Sequence, residues 1–370
     1  MQKILLFIAS LFYFNFLFSK NEIKSWQGIH ETPLSRLEQQ FAEPPVEFAN
    51  HVIWGWEGKM DKKTICNDLD SIKKKGFRAV IFEAGYKLPF KYLSEEWFKA
   101  IRTGVVEAKK RDMKVWIIDE GKYPSGFAGG KFSQERPDLR MQALVIGDTI
   151  QIKRGEVMTN HKIAPEIISA VAVSTSGAPN RTVEINNGKI SFNAGLDDWK
   201  ILLVKSDFRT AVTRAVNNPN GGKDATNSLC DYLNPVAVQQ FIDWTHKQYK
   251  KYLGKELGTT VLGFRGDEPD YAHLPWTPSI VQTFKDTKGY DPTPYLASFF
   301  TASPTIQEQR VKADYWDVWS SLFATHFFKL QADWCAANGV AHITHLNKEH
   351  EMPAVSYTHL RAHETPEHLV

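Results

Sequence analysis

The sequence predicts an α/β fold of the (β/α)8 TIM-barrel type, incomplete, with about five parallel strands and a β-rich insertion after the third. Short apolar runs alternate with amphipathic helical segments from residue 51 onward. Between residues 144 and 216 this rhythm gives way to period-two alternation of polar and apolar residues. The apolar run 261–266 then stops at Asp267, Glu268 and Pro269, as a buried parallel strand does at the mouth of a barrel.

Composition limits the function classes that need to be considered. The chain has 370 residues, of which 42% are hydrophobic, so it can bury a sizeable core. Its formal charge of +3 is small and its charges are interspersed, which argues against a nucleic-acid partner. The three cysteines, Cys66, Cys230 and Cys335, are too widely spaced to indicate a zinc site or a disulfide framework.

Residues 1–19 have the pattern of a secretory signal peptide. Lys3 precedes an apolar run over residues 4–18, which ends at Ser19. Such a run is shorter than the roughly 20 residues that a spanning helix needs. We therefore expect a secreted or periplasmic protein without membrane association after cleavage, with an uncleaved anchor as the alternative.

The first part of the predicted barrel covers residues 48–143. Three strand-like runs, 52–56, 77–82 and 113–118, are separated by helical patterns over 64–75 and from Ser94 to about Arg111. Strands and helices that alternate at this spacing indicate a parallel sheet.

Residues 144–216 form the predicted β-rich insertion. The pair Asn187-Gly188 lies between alternating runs and is a strong signal for a two-residue hairpin turn. We expect a small sandwich on the loop after strand three, where an insertion can shape a substrate cleft.

The barrel pattern continues over residues 217–353. Pro235 opens a helix predicted to run through Tyr252, strands are predicted at 261–266 and 340–346, and helices at 277–288 and 307–338. Five strands are too few to close a barrel of eight, which favours a fragment that is inactive on its own. Residues 354–370 carry no core pattern and resemble translated sequencing adaptor, so we expect a non-native tail there.

Carboxylates that follow strands are the first candidates for chemistry. Three strands end in acids, and acids converging on one mouth suggest acid/base catalysis: they are Glu83, Asp119 with Glu120, and Asp267 with Glu268. Glu268 is the catalytic candidate, against a structural pairing with Arg265. Asp267 should point to the opposite face of a regular strand and so orient or hydrogen-bond. Glu120 fits substrate contact or a loop acid equally, and Glu83 is the weakest candidate.

Aromatic residues at or just beyond strand ends indicate a carbohydrate. They are Trp54, Trp56, Tyr86, Tyr123 and Trp276. Aromatic rings can pack on the apolar faces of sugars, although any one of these could equally be a core residue.

Metal chemistry is the competing interpretation. His342 and His345 on the last strand, with His350, could contribute to a site, but residues three apart on a strand face opposite sides. His345 could instead hydrogen-bond a substrate hydroxyl. The glycine-rich loop 121–130 lacks the lysine that a phosphate-binding loop requires, and no organic cofactor is expected.

Four sequence blocks, in order, resemble glycoside hydrolase family 106, the α-L-rhamnosidases and their relatives. They are 54–56 (WGW), 120–130 (EGKYPSGFAGG), 231–235 (DYLNP) and 266–269 (GDEP), and the likeness covers roughly residues 48–351. The resemblance implies an exported (β/α)8 catalytic domain, hydrolysis of terminal rhamnosyl or similar bonds by two glutamates with inversion, and a calcium ion near the sugar.

Carried over to this sequence, the resemblance makes Glu268 the general acid and leaves the calcium ligands unassigned. The second carboxylate is expected beyond this sequence, since Glu349 and Glu351 are poor substitutes. Arg265 and Gly266 depart from the pair expected before the acids, so the sugar stays open. The alternatives are a non-catalytic carbohydrate-binding relative and a metal-dependent hydrolase.

Overall fold

The computed structural model describes residues 33–43, 50–121, 123–209, 228–271 and 273–346. The predicted signal peptide, the predicted tail, His350, Glu349 and Glu351 lie outside these ranges. The chain divides into two units, Met1–Ala49 and Asn50–Val370. In the first unit, helix Leu34–Ala42 exposes Leu34, Leu37 and Phe41. Among the described residues, every helix is too short or too polar to cross a membrane.

The described part of the second unit contains twelve strands. They are β1 (His51–Trp56), β2 (Ala79–Ala84), β3 (Lys114–Ile118), β4 (Gln142–Ile152), β5 (Val157–Lys162), β6 (Ile167–Ser174), β7 (Arg181–Thr182), β8 (Lys189–Asn193), β9 (Trp199–Phe208), β10 (Val261–Asp267), β11 (Pro275–Trp276) and β12 (Ala341–His345). Five of them form a parallel sheet in the order β1-β2-β3-β10-β12. The five predicted parallel strands are confirmed.

Helices cover one face of the parallel sheet. Lys62–Lys74, Glu95–Lys110 and His246–Leu253 bury the apolar side chains of alternate strand positions, such as Val80, Phe82, Val115, Ile117 and Phe264. The first two helices begin where the side chains of Asp61 and Ser94 accept the backbone N–H groups of Thr64 and Trp97.

The opposite face of the sheet carries the other set of alternate residues. On the outermost strands of the sheet, Ile53 and Ile343 are 48% and 43% exposed on this face. Among the described residues the sheet is therefore open, with β1 and β12 at its edges. Closure into a barrel of eight strands stays a prediction.

Antiparallel strands occupy the predicted insertion. A five-stranded sheet has the order β11-β4-β9-β6-β7, and β5 pairs with β8 in a separate two-stranded sheet. Asn187 and Gly188 both have positive φ, and Asn186 and Lys189 exchange backbone hydrogen bonds across them, which confirms the hairpin turn. The strand β11, which follows β10 in the chain, also belongs to this sheet and pairs with β4.

The remaining helices pack against this second sheet. The helix predicted from Pro235 through Tyr252 is two helices, Pro235–Trp244 and His246–Leu253, because Thr245 leaves helical geometry at φ −112° and ψ −86°. The helix predicted over 307–338 is continuous but contains a π-helical segment, Phe323–Lys329, between Ile306–Leu322 and Leu330–Ala337. Helix Ile280–Lys288 packs with Pro235–Trp244 and Ile306–Leu322 in a core rich in aromatic side chains.

Candidate active site

Two acids and a histidine meet where β10 and β12 end. Asp267 pairs in register with His345, and the backbone N–H of Glu268 donates to the carbonyl of His345 at 2.8 Å. His345 Nδ1 lies 3.2 Å from Glu268 Oε1 and 3.6 Å from Asp267 Oδ1. The Glu268 side chain is 32% exposed, so it can be reached from solvent. The structure thus brings together three of the residues that the sequence predicted for the site.

Backbone geometry places both acids beside the same imidazole. Glu268 has φ +39°, a value that a non-glycine residue adopts only where its surroundings impose it. The prediction that Asp267 would point away from Glu268 is wrong, because it assumed a regular strand. This positive φ ends the strand and turns the Glu268 side chain toward His345.

The loop after β3 is fastened to the end of β10 through Ser125. Its N–H donates to the carbonyl of Asp267 at 2.9 Å, and its hydroxyl accepts the N–H of Asp267 at 2.7 Å. The same hydroxyl donates to Asp119 Oδ1 at 2.7 Å. The loop and the strand end therefore form one hydrogen-bonded unit.

Tyr232, from the segment before helix Pro235–Trp244, completes this unit. Its hydroxyl donates to the carbonyl of Ser125. Gly126 follows at φ +95°, and a Cβ placed there would lie 2.5 Å from Tyr232 Cε1. Only glycine satisfies both the backbone angle and the close approach of the ring.

Asp119 lies fully buried beneath the acids. Its pKa is raised from 3.8 to about 7, chiefly by burial and also by the nearby Asp267, while the Ser125 hydroxyl and Arg265 act against the rise. Within the described residues, its Oδ2 atom has no hydrogen-bond partner. A buried carboxyl oxygen without a partner is costly when ionised, which favours the protonated form at neutral pH and below.

Glu120 closes its own loop and does not face a substrate. Oε1 accepts the N–H groups of Gly121 at 2.6 Å and Gly129 at 3.0 Å, and Oε2 accepts the N–H of Ala128. The side chain is 1% exposed. Two roles were left open for Glu120. The structure supports the loop acid and contradicts the substrate contact.

The three tryptophans proposed as sugar platforms belong to the core. Trp56 is fully buried, and Trp276 is 6% exposed where β11 pairs with β4. Trp54 lies two residues from Trp56 on the same side of β1, packs on Phe82, and its side chain hydrogen-bonds Asp68 of helix Lys62–Lys74. The prediction that these rings lie exposed at the strand ends is wrong, because strand alternation turns Trp54 and Trp56 toward the helices.

The other three residues predicted to contact substrate are half-buried at or just after the carboxyl ends of β2 and β3. Glu83 is half-buried on the open face of the sheet, where its Oε2 would lie 3.4 Å from a Cβ on Gly55 of the edge strand. Tyr86 and Tyr123 are half-buried in the loops after β2 and β3.

Comparison with known proteins identifies the family. The model of glycoside hydrolase family 106, described as alpha-L-rhamnosidase, matches residues 160–364, more than half of the chain. The chain belongs to this family. It is 23% identical over 360 residues to a protein of Formosa agariphila named "Putative beta-glucuronidase", an alignment that covers 83% of this chain and 30% of that protein.

A solved structure supports the fold of the family 106 chain. The rhamnosidase from Novosphingobium sp. PP1Y superposes with a TM-score of 0.61 at 13% identity, covering 84% of this chain and 47% of that one. The chain thus spans less than half the length of either protein.

The calcium ion implied by the resemblance stays an expectation for the family 106 chain. Among the residues that the structure describes, no group of three or more His, Cys, Asp or Glu side chains is close enough to hold a metal. Asp119 offers one unpartnered oxygen, whereas calcium takes six to eight oxygen ligands. His342 pairs with Phe264 on the buried side of β12, away from His345. We therefore derive no step through a metal.

Sequence reasoning named Asp119 among the acids that end strands, but it did not select Ser125 or Tyr232. Both are buried, and their contacts join segments more than a hundred residues apart in the chain. The only signal for these two in the sequence was that each lies in one of the four family blocks.

Proposed function

We propose that the protein is an exported glycoside hydrolase that cleaves terminal α-L-rhamnosyl or similar glycosidic bonds, with Glu268 as general acid. The observation that carries the proposal is the position of Glu268. In a family 106 chain, it is an acid at the carboxyl end of the parallel sheet, 32% exposed to solvent, and it is held at φ +39° beside His345. Catalytic residues of barrel enzymes come from this end of the strands.

The proposed chemistry assigns each group a limited task. The Glu268 carboxyl delivers a proton to the leaving glycosidic oxygen as the bond breaks, and a second carboxylate takes a proton from water on the other side of the ring. No described residue is assigned as that second acid. His345 orients the Glu268 carboxyl and can also bond a sugar hydroxyl.

Two substrate classes need to be separated by experiment. The family description and the superposed enzyme favour a rhamnoside. The name of the Formosa agariphila protein favours a glucuronide. A non-catalytic carbohydrate-binding protein is the second candidate function, and it would bind either sugar without turnover.

The test uses the protein expressed from its complete reading frame. Wild type, Glu268→Gln and the exposed insertion variant Glu166→Gln are compared on methyl α-L-rhamnopyranoside and methyl β-D-glucuronide, whose poor alkoxide leaving groups require a proton, by release of reducing sugar. We expect Glu268→Gln to lose at least about 100-fold in kcat, the scale of general acid catalysis, with its melting temperature unchanged and Glu166→Gln fully active. Near-normal turnover by Glu268→Gln removes it from the acid role, and binding without turnover by wild type supports the non-catalytic candidate.

A further inference from the structure

Three of the four family blocks meet at Ser125. The serine belongs to block 120–130, the tyrosine that bonds its carbonyl belongs to block 231–235, and the aspartate that it holds belongs to block 266–269. Ser125 itself is fully buried, so it cannot touch a substrate.

Each polar group of Ser125 is used. The N–H donates to the Asp267 carbonyl, and the carbonyl accepts from the Tyr232 hydroxyl. The side-chain oxygen accepts from the Asp267 N–H while its proton goes to Asp119 Oδ1. A hydroxyl that both donates and accepts has one orientation. Because the Ser125 hydroxyl donates to Asp119, its lone pair is directed toward the Asp267 N–H.

We propose that Ser125, oriented by Asp119, is a positioning residue that holds the end of β10 so that Glu268 presents its carboxyl to the leaving oxygen. This inference rests on the proposed function and adds the residue that orients the catalytic acid.

Hydrogen bonds to the two peptides that precede Glu268 hold its backbone. A residue at φ +39° would relax to an extended or helical angle unless its neighbours held it. The Asp267 N–H is bound by the Ser125 hydroxyl, and in the next peptide the Ser125 N–H binds the Asp267 carbonyl while the His345 carbonyl accepts the Glu268 N–H. Loss of the Ser125 hydroxyl removes the first of these bonds and loosens the backbone that leads into Glu268, so that the carboxyl moves away from His345.

The experiment compares four single variants and one double variant of the complete protein. Ser125→Ala removes the hydroxyl, Asp119→Ala removes its acceptor, and Asp119→Asn keeps an acceptor oxygen at the same place. Ser169→Ala is the matched control, because Ser169 is also buried and its hydroxyl also accepts a backbone N–H, from Ala297 at 3.0 Å, but in the antiparallel sheet.

The expected result is a change in kcat without a change in KM. Ser125→Ala should lower kcat by about 10-fold to 100-fold, the effect of misplacing a catalytic group by about 1 Å, with KM within about threefold. Asp119→Asn should keep kcat within about threefold, and the double variant Ser125→Ala/Asp119→Ala should be no slower than the worse single variant, since both act through one bond. Ser169→Ala should leave kcat unchanged.

Other outcomes overturn the inference. Ser125→Ala with wild-type kcat, single effects that multiply in the double variant, or an equal loss in Ser169→Ala would each reduce Ser125 to a structural residue. If Ser125→Ala does not fold, Ser125→Cys replaces it, and its weaker donor should give a smaller loss of kcat in the same direction. A parent protein without turnover on any glycoside overturns the proposed function and this inference together, whereas an inactive Glu268→Gln beside a normal Ser125→Ala overturns only the latter.

Discussion

His345 Nδ1 lies 3.2 Å from Glu268 Oε1, and the carbonyl of the same histidine accepts the Glu268 N–H at 2.8 Å. One residue of β12 therefore contacts both the backbone and the carboxyl of the proposed acid. The backbone contact survives any substitution at position 345, whereas the imidazole contact does not. Substitutions of His345 therefore remove the contact that orients the Glu268 carboxyl and keep the backbone hydrogen bond at the end of the strand.

His345→Ala should lower kcat by about tenfold, the value of one hydrogen bond that orients the Glu268 carboxyl, and leave the melting temperature nearly unchanged. The side chain is 49% exposed, so little packing is lost. Steady-state kinetics on the preferred methyl glycoside, whose leaving group requires a proton, measure the effect. His161→Ala, an exposed histidine of β5, is the control and should behave as wild type. Equal activity in both variants would contradict an orienting role for His345.

Asp119→Asn should stabilise the protein above neutral pH. Because burial raises the pKa of Asp119 from 3.8 to about 7, the folded state keeps a proton that the unfolded chain has lost across pH ~4–7. The stabilisation from this group is complete below pH ~4 and is lost as the pH rises to about 7, to a total of up to about 4 kcal/mol. Asparagine does not ionise and avoids that loss.

Urea unfolding of wild type and Asp119→Asn at pH 4, 6 and 8 tests this. The difference in unfolding free energy should grow in favour of the variant from pH 4 to pH 8. Buried Asp231 and Glu120 also have raised pKa values, so only the difference between the two curves isolates position 119. A constant difference across the series would show that Asp119 titrates alike in both states.

Gly126→Ala should be more destabilising than Gly155→Ala. Both glycines have positive φ, +95° and +80°, so an alanine at either position suffers a backbone cost of about 1–3 kcal/mol. A Cβ at Gly126 also meets the Tyr232 ring at 2.5 Å, while a Cβ at Gly155 meets nothing within 4 Å. Thermal melts of the two variants compare the costs. Equal losses would mean that the ring gives way freely and that the loop is less tightly held than described.

Trp276→Ala should affect stability and leave KM alone. The ring is buried in the core beside the antiparallel sheet, and its removal should cost about 3–5 kcal/mol of unfolding free energy. KM for the glycoside should stay within about twofold of wild type, because no substrate reaches the ring. A tenfold rise in KM with unchanged stability would restore the sugar-platform interpretation that the structure corrects.

Local patterns predicted the elements of this fold well. The five parallel strands, the Asn187-Gly188 turn and the start of a helix at Ser94 all depend on neighbours in the sequence, and all three are present. The break at Thr245 was not predicted, because the apolar spacing continues through it. Burial of Trp56 was missed for a similar reason, since strand alternation does not say which face the helices cover.

The sequence by itself determined which residues end the strands, and from its four blocks it determined the family resemblance and the choice of Glu268. Only the tertiary structure decided what those residues do. In the structure, Asp267 and Glu268 lie beside one imidazole. The Glu120 carboxylate binds N–H groups of its own loop. Ser125 is hydrogen-bonded to both Asp119 and Tyr232. The physical reason is that strand pairing and hydrogen bonds across more than a hundred residues set these directions, and a linear pattern carries no information about them.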